Sequence, residues 1–225
     1  MFPLTHKPFY ELGDTDDIVF MRPFAPAVAH SCLPEKLVSD FNEEIDRNTN
    51  RQDWSDHLVG KLNSETLIPT QVLKPWASNF SEVAIRYVQD YASRHCYPVS
   101  AVKKPAVHIT SAWFNRQIAN NFNPLHIHSP AELSCVGFLK LPDNMEKEWL
   151  DDDKDHHPCR GHLEFVCGTM SSFGRHTFSI RPRVGDFLLF PADLYHTVYP
   201  FESDGERRSF SMNFTISERE VSDEE

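Results

Sequence analysis

The 225-residue chain has no CxxC pair. Its five cysteines, Cys32, Cys96, Cys135, Cys159 and Cys167, are widely spaced and odd in number, which argues against a disulfide framework and for a reducing compartment. It also has no cluster of lysine and arginine. With a formal net charge of −11, nucleic acid and anionic membranes are not expected partners, because phosphate attraction needs grouped cations. No stretch approaches the roughly eighteen consecutive apolar residues of a membrane span. The N-terminal "MFPLTHKPFYELGDTDD" is not a basic stretch followed by an apolar run. A soluble, cytoplasmic protein is the expectation. Glycine is scarce, eight residues against seventeen Phe and sixteen Pro, which predicts a core of aromatic rings and a chain turned by rigid corners. There is no internal repeat.

What is present falls into two textures. In residues 33–48, Leu37, Val38, Phe41 and Ile45 recur at three- and four-residue steps after "LPEK", and in 75–96 Phe80, Val83, Ala84, Tyr87, Val88 and Tyr91 share one face. Each pattern predicts an amphipathic helix. Val19, Phe20 and Met21 begin an extended piece before the first helix, and 51–69 reads as a loop with short extended pieces. From about Val102, β-branched and aromatic runs alternate with turn signals: "AVHITSAWFNR", "LSCVGFLKLP", "HLEFVCG", "RHTFSIRP", "GDFLLFP", "HTVYPF" and "RRSFSMNFTI". Seven short strands in one half predict a sandwich or barrel. The segment 143–161, "DNMEKEWLDDDKDHHPCRG", is acidic and nonperiodic and reads as a surface loop. The expected organisation is one domain, 1–225, mainly β with α. A helical and extended half, 1–100, supports a β core, 101–216, and an acidic tail, 217–225, frays.

The stretch "FNPLHIHSPAELSCVGFLKLP", 122–142, places His126 and His128 one residue apart before an apolar run. On a strand such residues point to one face, so both imidazoles would enter one space. A third histidine, His196, opens a later strand in "GDFLLFPADLYHTVYP". Strands that bring three donors together, with positions left open, suit a mononuclear metal.

The order of HxH, the "LSCVGFLKLP" strand, "GDFLLFPADLYHTVYP" and "RRSFSMNFTI" resembles the 2-oxoglutarate and Fe(II)-dependent oxygenases, over roughly 113–216. Within them it resembles a branch that carries the HxH…H pattern. The resemblance implies a double-stranded β-helix, or cupin-like jelly roll, with helices packed on one sheet. It implies Fe(II) held by His126, His128 and His196, with His128 where Asp or Glu usually stands, and 2-oxoglutarate as cosubstrate. Glu132 and Asp193 are the nearby carboxylates that could join the set. Arg207 and Ser209, on one face of the last strand, would anchor the far carboxylate of 2-oxoglutarate, since arginine's planar fork suits a carboxylate. Alternation then turns Ser211 and Asn213 inward, and Phe210, Met212, Phe214 and Arg208 away. Asn115 of "SAWFNR" is a further cosubstrate or substrate contact. For Arg207 the other reading is a solvated strand arginine in an ion pair.

The activity implied is an oxidation, of the hydroxylase type, of an amino acid, another small molecule or a protein side chain, with dioxygen consumed and succinate formed. Two other readings stand beside it: a cupin-like three-histidine dioxygenase that needs no 2-oxo acid, and a non-catalytic jelly-roll binding module. His156, His157 and Cys159 read as part of a solvated loop, His108 and His162 as structural or surface positions, and Cys135 as a small buried hydrophobe.

Overall fold

The computed structural model describes residues 10–15, 17–21, 26–47, 52–93, 105–156, 158–169 and 175–218. The N-terminal leader reading, Cys96, His157 and positions 219–225 of the expected tail therefore fall partly or wholly outside the described residues. The strands are β1 (Tyr10–Glu11), β2 (Val19–Met21), β3 (Val28–Cys32), β4 (Ser64–Leu67), β5 (Pro105–Gln117), β6 (Asn123–His126), β7 (Leu133–Lys140), β8 (Leu163–Val166), β9 (Thr177–Arg181), β10 (Asp186–Pro191), β11 (Tyr195–Val198) and β12 (Arg207–Glu218). The helices are α1 (Glu35–Arg47), α2 (Thr70–Leu73), α3 (Ala77–Ser93) and α4 (Met145–Asp152). Among the described residues, no helix is long and apolar enough to cross a membrane.

Two sheets face each other, one ordered β1-β9-β8-β11-β6 and the other β2-β3-β10-β7-β12-β5-β4. Their pairings are antiparallel except for β1 with β9. The fold is mainly β with α, a jelly roll, and period-two alternation on the central strands builds it. On β10, Phe187 and Leu189 face a core shared with the helices, whereas Leu188 and Phe190 face the space between the sheets. A central strand covered on both sides needs a continuous apolar run, which is why "FLLF" shows no alternation. The helical core joins Leu37, Phe41 and Ile45 of α1 and Phe80, Ala84, Tyr87 and Val88 of α3 to Phe114, Phe210, Met212 and Phe214 of the seven-stranded sheet. Phe41 meets Phe114 and Phe210 edge-on at centroid distances of 5.4 and 5.1 Å. Arg208 also faces this side, pairing with Asp46 of α1 at 2.7 Å and with Glu206 at 2.7 Å.

Gly137 on β7 lies directly across from Phe210 on β12. A Cβ there would come within 2.2 Å of the Phe210 ring and 3.1 Å of Leu33. The scarce glycine is spent where an aromatic ring presses on the backbone. Gly137→Ala should cost about 1–3 kcal/mol, the usual range for overpacking, read as a lower urea midpoint.

Three expectations need correction. The segment 143–161 is not a plain surface loop, because it carries α4. Met145 and Trp149, one turn apart, bury a face against Phe201. Its acidity hid this, since two of the carboxylates are buried acceptors for backbone N–H groups: Glu148 takes those of Glu202 and Ser203 at 2.7 Å each, and Asp152 takes that of Arg160 at 2.9 Å. The tail begins later than 217, because Ser217 and Glu218 still pair with β5. Finally, His128 lies beyond the end of β6, so the HxH pair straddles a strand end instead of sharing a strand.

Candidate metal centre

His126 and His196 are direct cross-strand partners on β6 and β11. Non-adjacent in sequence, they are forced together by sheet register. His128 follows two residues later, its N–H donating to the Ala192 carbonyl at 2.8 Å, and this bond turns the chain back toward β11. The three imidazoles offer nitrogens that all lie within 4.8 Å of one another, and they form the one such metal-capable group among the described residues. Ring centroids are 4.2 Å apart for His126 and His196, 5.2 Å for His126 and His128, and 5.1 Å for the near-parallel His128 and His196.

Two of the rings are locked from behind. His126 Nδ1–H donates to the Pro124 carbonyl at 2.7 Å and His196 Nδ1–H to the Leu194 carbonyl at 2.9 Å. A ring that donates from Nδ1 presents a bare lone pair at Nε2 when neutral. Burial keeps them neutral: it holds His196 well below the ordinary imidazole range, lowers His126, and brings His128 down to about 4, with the neighbouring His126 adding to it. His128 Nε2 and His196 Nε2 face each other at 3.2 Å. Neutral nitrogens crowded in this way suit a shared cation. Neither nearby carboxylate joins them. Glu132 is exposed and accepts the Ile216 N–H at 3.0 Å, and Asp193 is exposed.

The cluster opens into a cavity of about 420 Å³ between the sheets. Trp113, stacked on His128 at 5.7 Å, forms part of its wall, and Val136, Phe138, Leu163 and Phe190 form an apolar part. Across the seven-stranded sheet, Phe138, Ser209 and Asn115 form one register row, and Ser209, Ser211, Asn213 and Asn115 all line the cavity. The Asn115 side-chain N–H donates to Ser211 Oγ at 3.1 Å, which leaves its Oδ1 buried without a donor.

Arg207 is not a solvated arginine. It is 1% exposed and is not itself among the residues that line the cavity, whereas its neighbours Gln117 and Ser209 are. Its Nε donates to Gln117 Oε1 at 2.8 Å and its Nη1 to the Gly161 carbonyl at 2.6 Å. Its Nη2 is buried with no partner, and no carboxylate pairs with it among the described residues. Desolvation pulls the guanidinium down to about 9, which leaves it cationic at neutral pH. The Phe201 ring lies 5.5 Å from it. A buried cation with an unmet donor fits a ligand carboxylate.

Gln117 and Gly161 were missed in the sequence. Gln117 does fall on the inward face of β5 two residues beyond Asn115, a signal that alternation could have supplied. Gly161, at φ +68°, belongs to the acidic segment 143–161, whose composition reads as a loop.

Three other histidines singled out in the sequence lie away from the cluster. His162 is fully buried beside Ser179, His108 contacts Ser217 on an exposed face, and His156 is exposed. Cys135 is 1% exposed in the core, and burial raises its thiol pKa.

Residues 111–213 match the family described as "Putative 2OG-Fe(II) oxygenase". No curated protein matches the chain significantly. Among solved structures, it is similar to the α-ketoglutarate-dependent carbocyclase SnoK from nogalamycin biosynthesis (TM-score 0.55, 13% identity, 85% of this chain and 81% of that one). It is similar also to a prolyl-4-hydroxylase from Pseudomonas putida (0.54, 14%, 84% and 92%). A third is HygX from Streptomyces hygroscopicus, solved with nickel, 2-oxoglutarate and hygromycin B (0.54, 12%, 84% and 82%). At such identities the likeness speaks for shared architecture. The family match spans β6 and β11, which carry His126 and His196, and the segment after β6 that carries His128, and over residues 111–213 the chain is similar to the 2-oxoglutarate and Fe(II)-dependent oxygenases.

Proposed function

We propose that His126, His128 and His196 hold the iron, that Arg207 and Ser209 anchor the far carboxylate of 2-oxoglutarate, and that the substrate is a small molecule or an amino acid oxidised at a C–H bond. The observation that carries this reading is the pairing of two unmet demands around one cavity: three bare imidazole nitrogens on one side and the unpartnered Arg207 Nη2 behind the other. Fe(II) with 2-oxoglutarate supplies the decarboxylation to succinate and carbon dioxide that drives oxygen transfer from dioxygen to the substrate.

The protein's own groups orient and exclude. The Pro124 and Leu194 carbonyls fix two imidazole tautomers, Gln117 and Gly161 fix the guanidinium plane, and Val136, Phe138, Leu163 and Phe190 give the cavity an apolar wall. Asn115 offers an unpaired acceptor, its Oδ1, while one of its two side-chain N–H groups donates to Ser211. Three neutral imidazoles leave a divalent ion with its full charge, which the dianionic cosubstrate would neutralise. The reading takes the chain as one domain with its helices supporting the jelly roll. A cytoplasmic location fits the four described cysteines, all free, and the charge of −11 disfavours nucleic acid as substrate.

Three-histidine ligation also suits a dioxygenase whose substrate alone binds the metal. Adding 2-oxoglutarate to the anaerobic Fe(II) protein separates the two. A change in the visible spectrum, with succinate formed once air is admitted, is expected; an unchanged spectrum and no succinate would favour the second reading.

A further inference from the structure

One carboxyl in the cavity takes no part in holding metal or cosubstrate. Glu65, on β4, lines the same cavity as the three histidines and is 3% exposed. Among the described residues it is the only acidic one of that lining, and no lysine or arginine lines it. Its carboxyl has no hydrogen-bond or ion-pair partner among the described residues, although its backbone carbonyl accepts the Trp54 N–H at 2.8 Å. The register explains why it points inward: Glu65 extends the row Phe138, Ser209, Asn115 by one strand. Two strand spacings separate it from Ser209, roughly 10 Å. It also lies outside the imidazole cluster. It therefore faces the part of the cavity left to the substrate.

The surroundings decide what such a carboxyl would meet. Asn123 Oδ1 is buried without a donor, and it crowds the same spot: a Cβ on Gly60 would come within 2.3 Å of that atom and 2.8 Å of Glu65 Oε1. Asn115 Oδ1 and Asn213 Oδ1 lack donors as well. Burial, with Asp53 adding its charge, pushes the Glu65 carboxyl up to about 7, as expected for an acid with no cation to face. Trp54 and His57, with ring centroids 3.9 Å apart and planes tilted by 31°, add aromatic faces to the lining near this end. One unpartnered donor, Gln117 Nε2, also lines the cavity, beside Arg207, but three unpaired amide oxygens and a carboxyl with no cation among them call for a ligand that brings N–H donors.

The geometry points to Glu65 as a substrate-recognition residue, and to a substrate that carries a protonated amine or guanidinium. This deepens the oxygenase reading and rests on it: Arg207, outside the lining and bonded to the lining residue Gln117, would serve the cosubstrate, and Glu65, in the lining, the substrate. An ammonium group has three donors for Glu65 and Asn123, and its charge would draw the carboxyl back toward its ionised form.

The test is a calorimetric titration of the protein, loaded with Zn(II) and 2-oxoglutarate, with three matched probes: pentylammonium, pentanol and pentanoate. Pentylammonium should bind about tenfold or more tightly than either of the others. Glu65→Gln, nearly isosteric, should abolish that preference, and Glu65→Asp should keep it at reduced affinity. The assignment is overturned if Glu65→Gln holds pentylammonium as tightly as the wild type. Equal binding of all three probes, or binding of none, overturns it too. Binding of 2-oxoglutarate is measured separately. If it fails while the ammonium preference persists, the oxygenase reading falls and the role of Glu65 stands.

Discussion

His196→Ala should lose metal binding by at least about 100-fold, the upper end of what disturbing even an outer-shell partner costs, and with it all turnover of 2-oxoglutarate. His196 is the hub of the cluster. It is the register partner of His126, it stacks on His128, and only 5% of it is exposed. Its removal leaves two imidazoles that no longer share a third donor, and no carboxylate stands close enough to substitute, since Glu132 is tied to β12 and Asp193 faces solvent. The Leu194 carbonyl would lose its donor, a cost of about 1–3 kcal/mol that the fold should survive. Metal content after dialysis and a Zn(II) titration, with a thermal melt to confirm folding, check the prediction. Retention of metal at wild-type affinity would remove His196 from the ligand set.

The second large effect concerns Arg207. Arg207→Met should weaken 2-oxoglutarate binding by about 100-fold or more, because truncating one partner of a buried, hydrogen-bonded charge pair costs 2–5 kcal/mol or more. Without ligand, the same change should leave stability nearly unaltered. The wild-type guanidinium is buried with no carboxylate, so it bears a desolvation penalty against only two hydrogen bonds, to Gln117 and Gly161. A thioether of similar length removes the penalty along with the bonds. The two effects separate binding from folding. Saturating 2-oxoglutarate should raise the melting temperature of the metal-loaded wild type and not that of the variant. An equal rise in both would show that the cosubstrate is anchored elsewhere.

What the sequence made legible was whatever depends on local period. Alternation along β12 separates Ser209, Ser211 and Asn213, which line the cavity, from Phe210, Met212 and Phe214, which pack under the helices. The helical faces of α1 and α3 could be read in the same way. Features set by register across the sheets were less accessible. Nothing near Glu65 in the chain marks it as a cavity residue, because its place follows from β4 pairing with β5 so that it meets Asn115. Likewise the Gly161 carbonyl reaches Arg207 only because α4, whose acidic residues disguised a buried face, packs Met145 and Trp149 against Phe201. Position 128 is intermediate. The spacing of the two histidines was visible, but the strand end between them was not, and the backbone bond from His128 to Ala192 does the work that shared strand geometry was expected to do.

A crystal structure of the anaerobic Fe(II) protein with 2-oxoglutarate would test the central claim most directly. Nε2 of His126, His128 and His196 should each bond the iron at about 2.0–2.2 Å, with the far carboxylate of the cosubstrate on Arg207 Nη2 and Ser209 Oγ. Iron held by fewer than three of these rings, or a cosubstrate carboxylate that leaves Arg207 Nη2 unpaired, would contradict it.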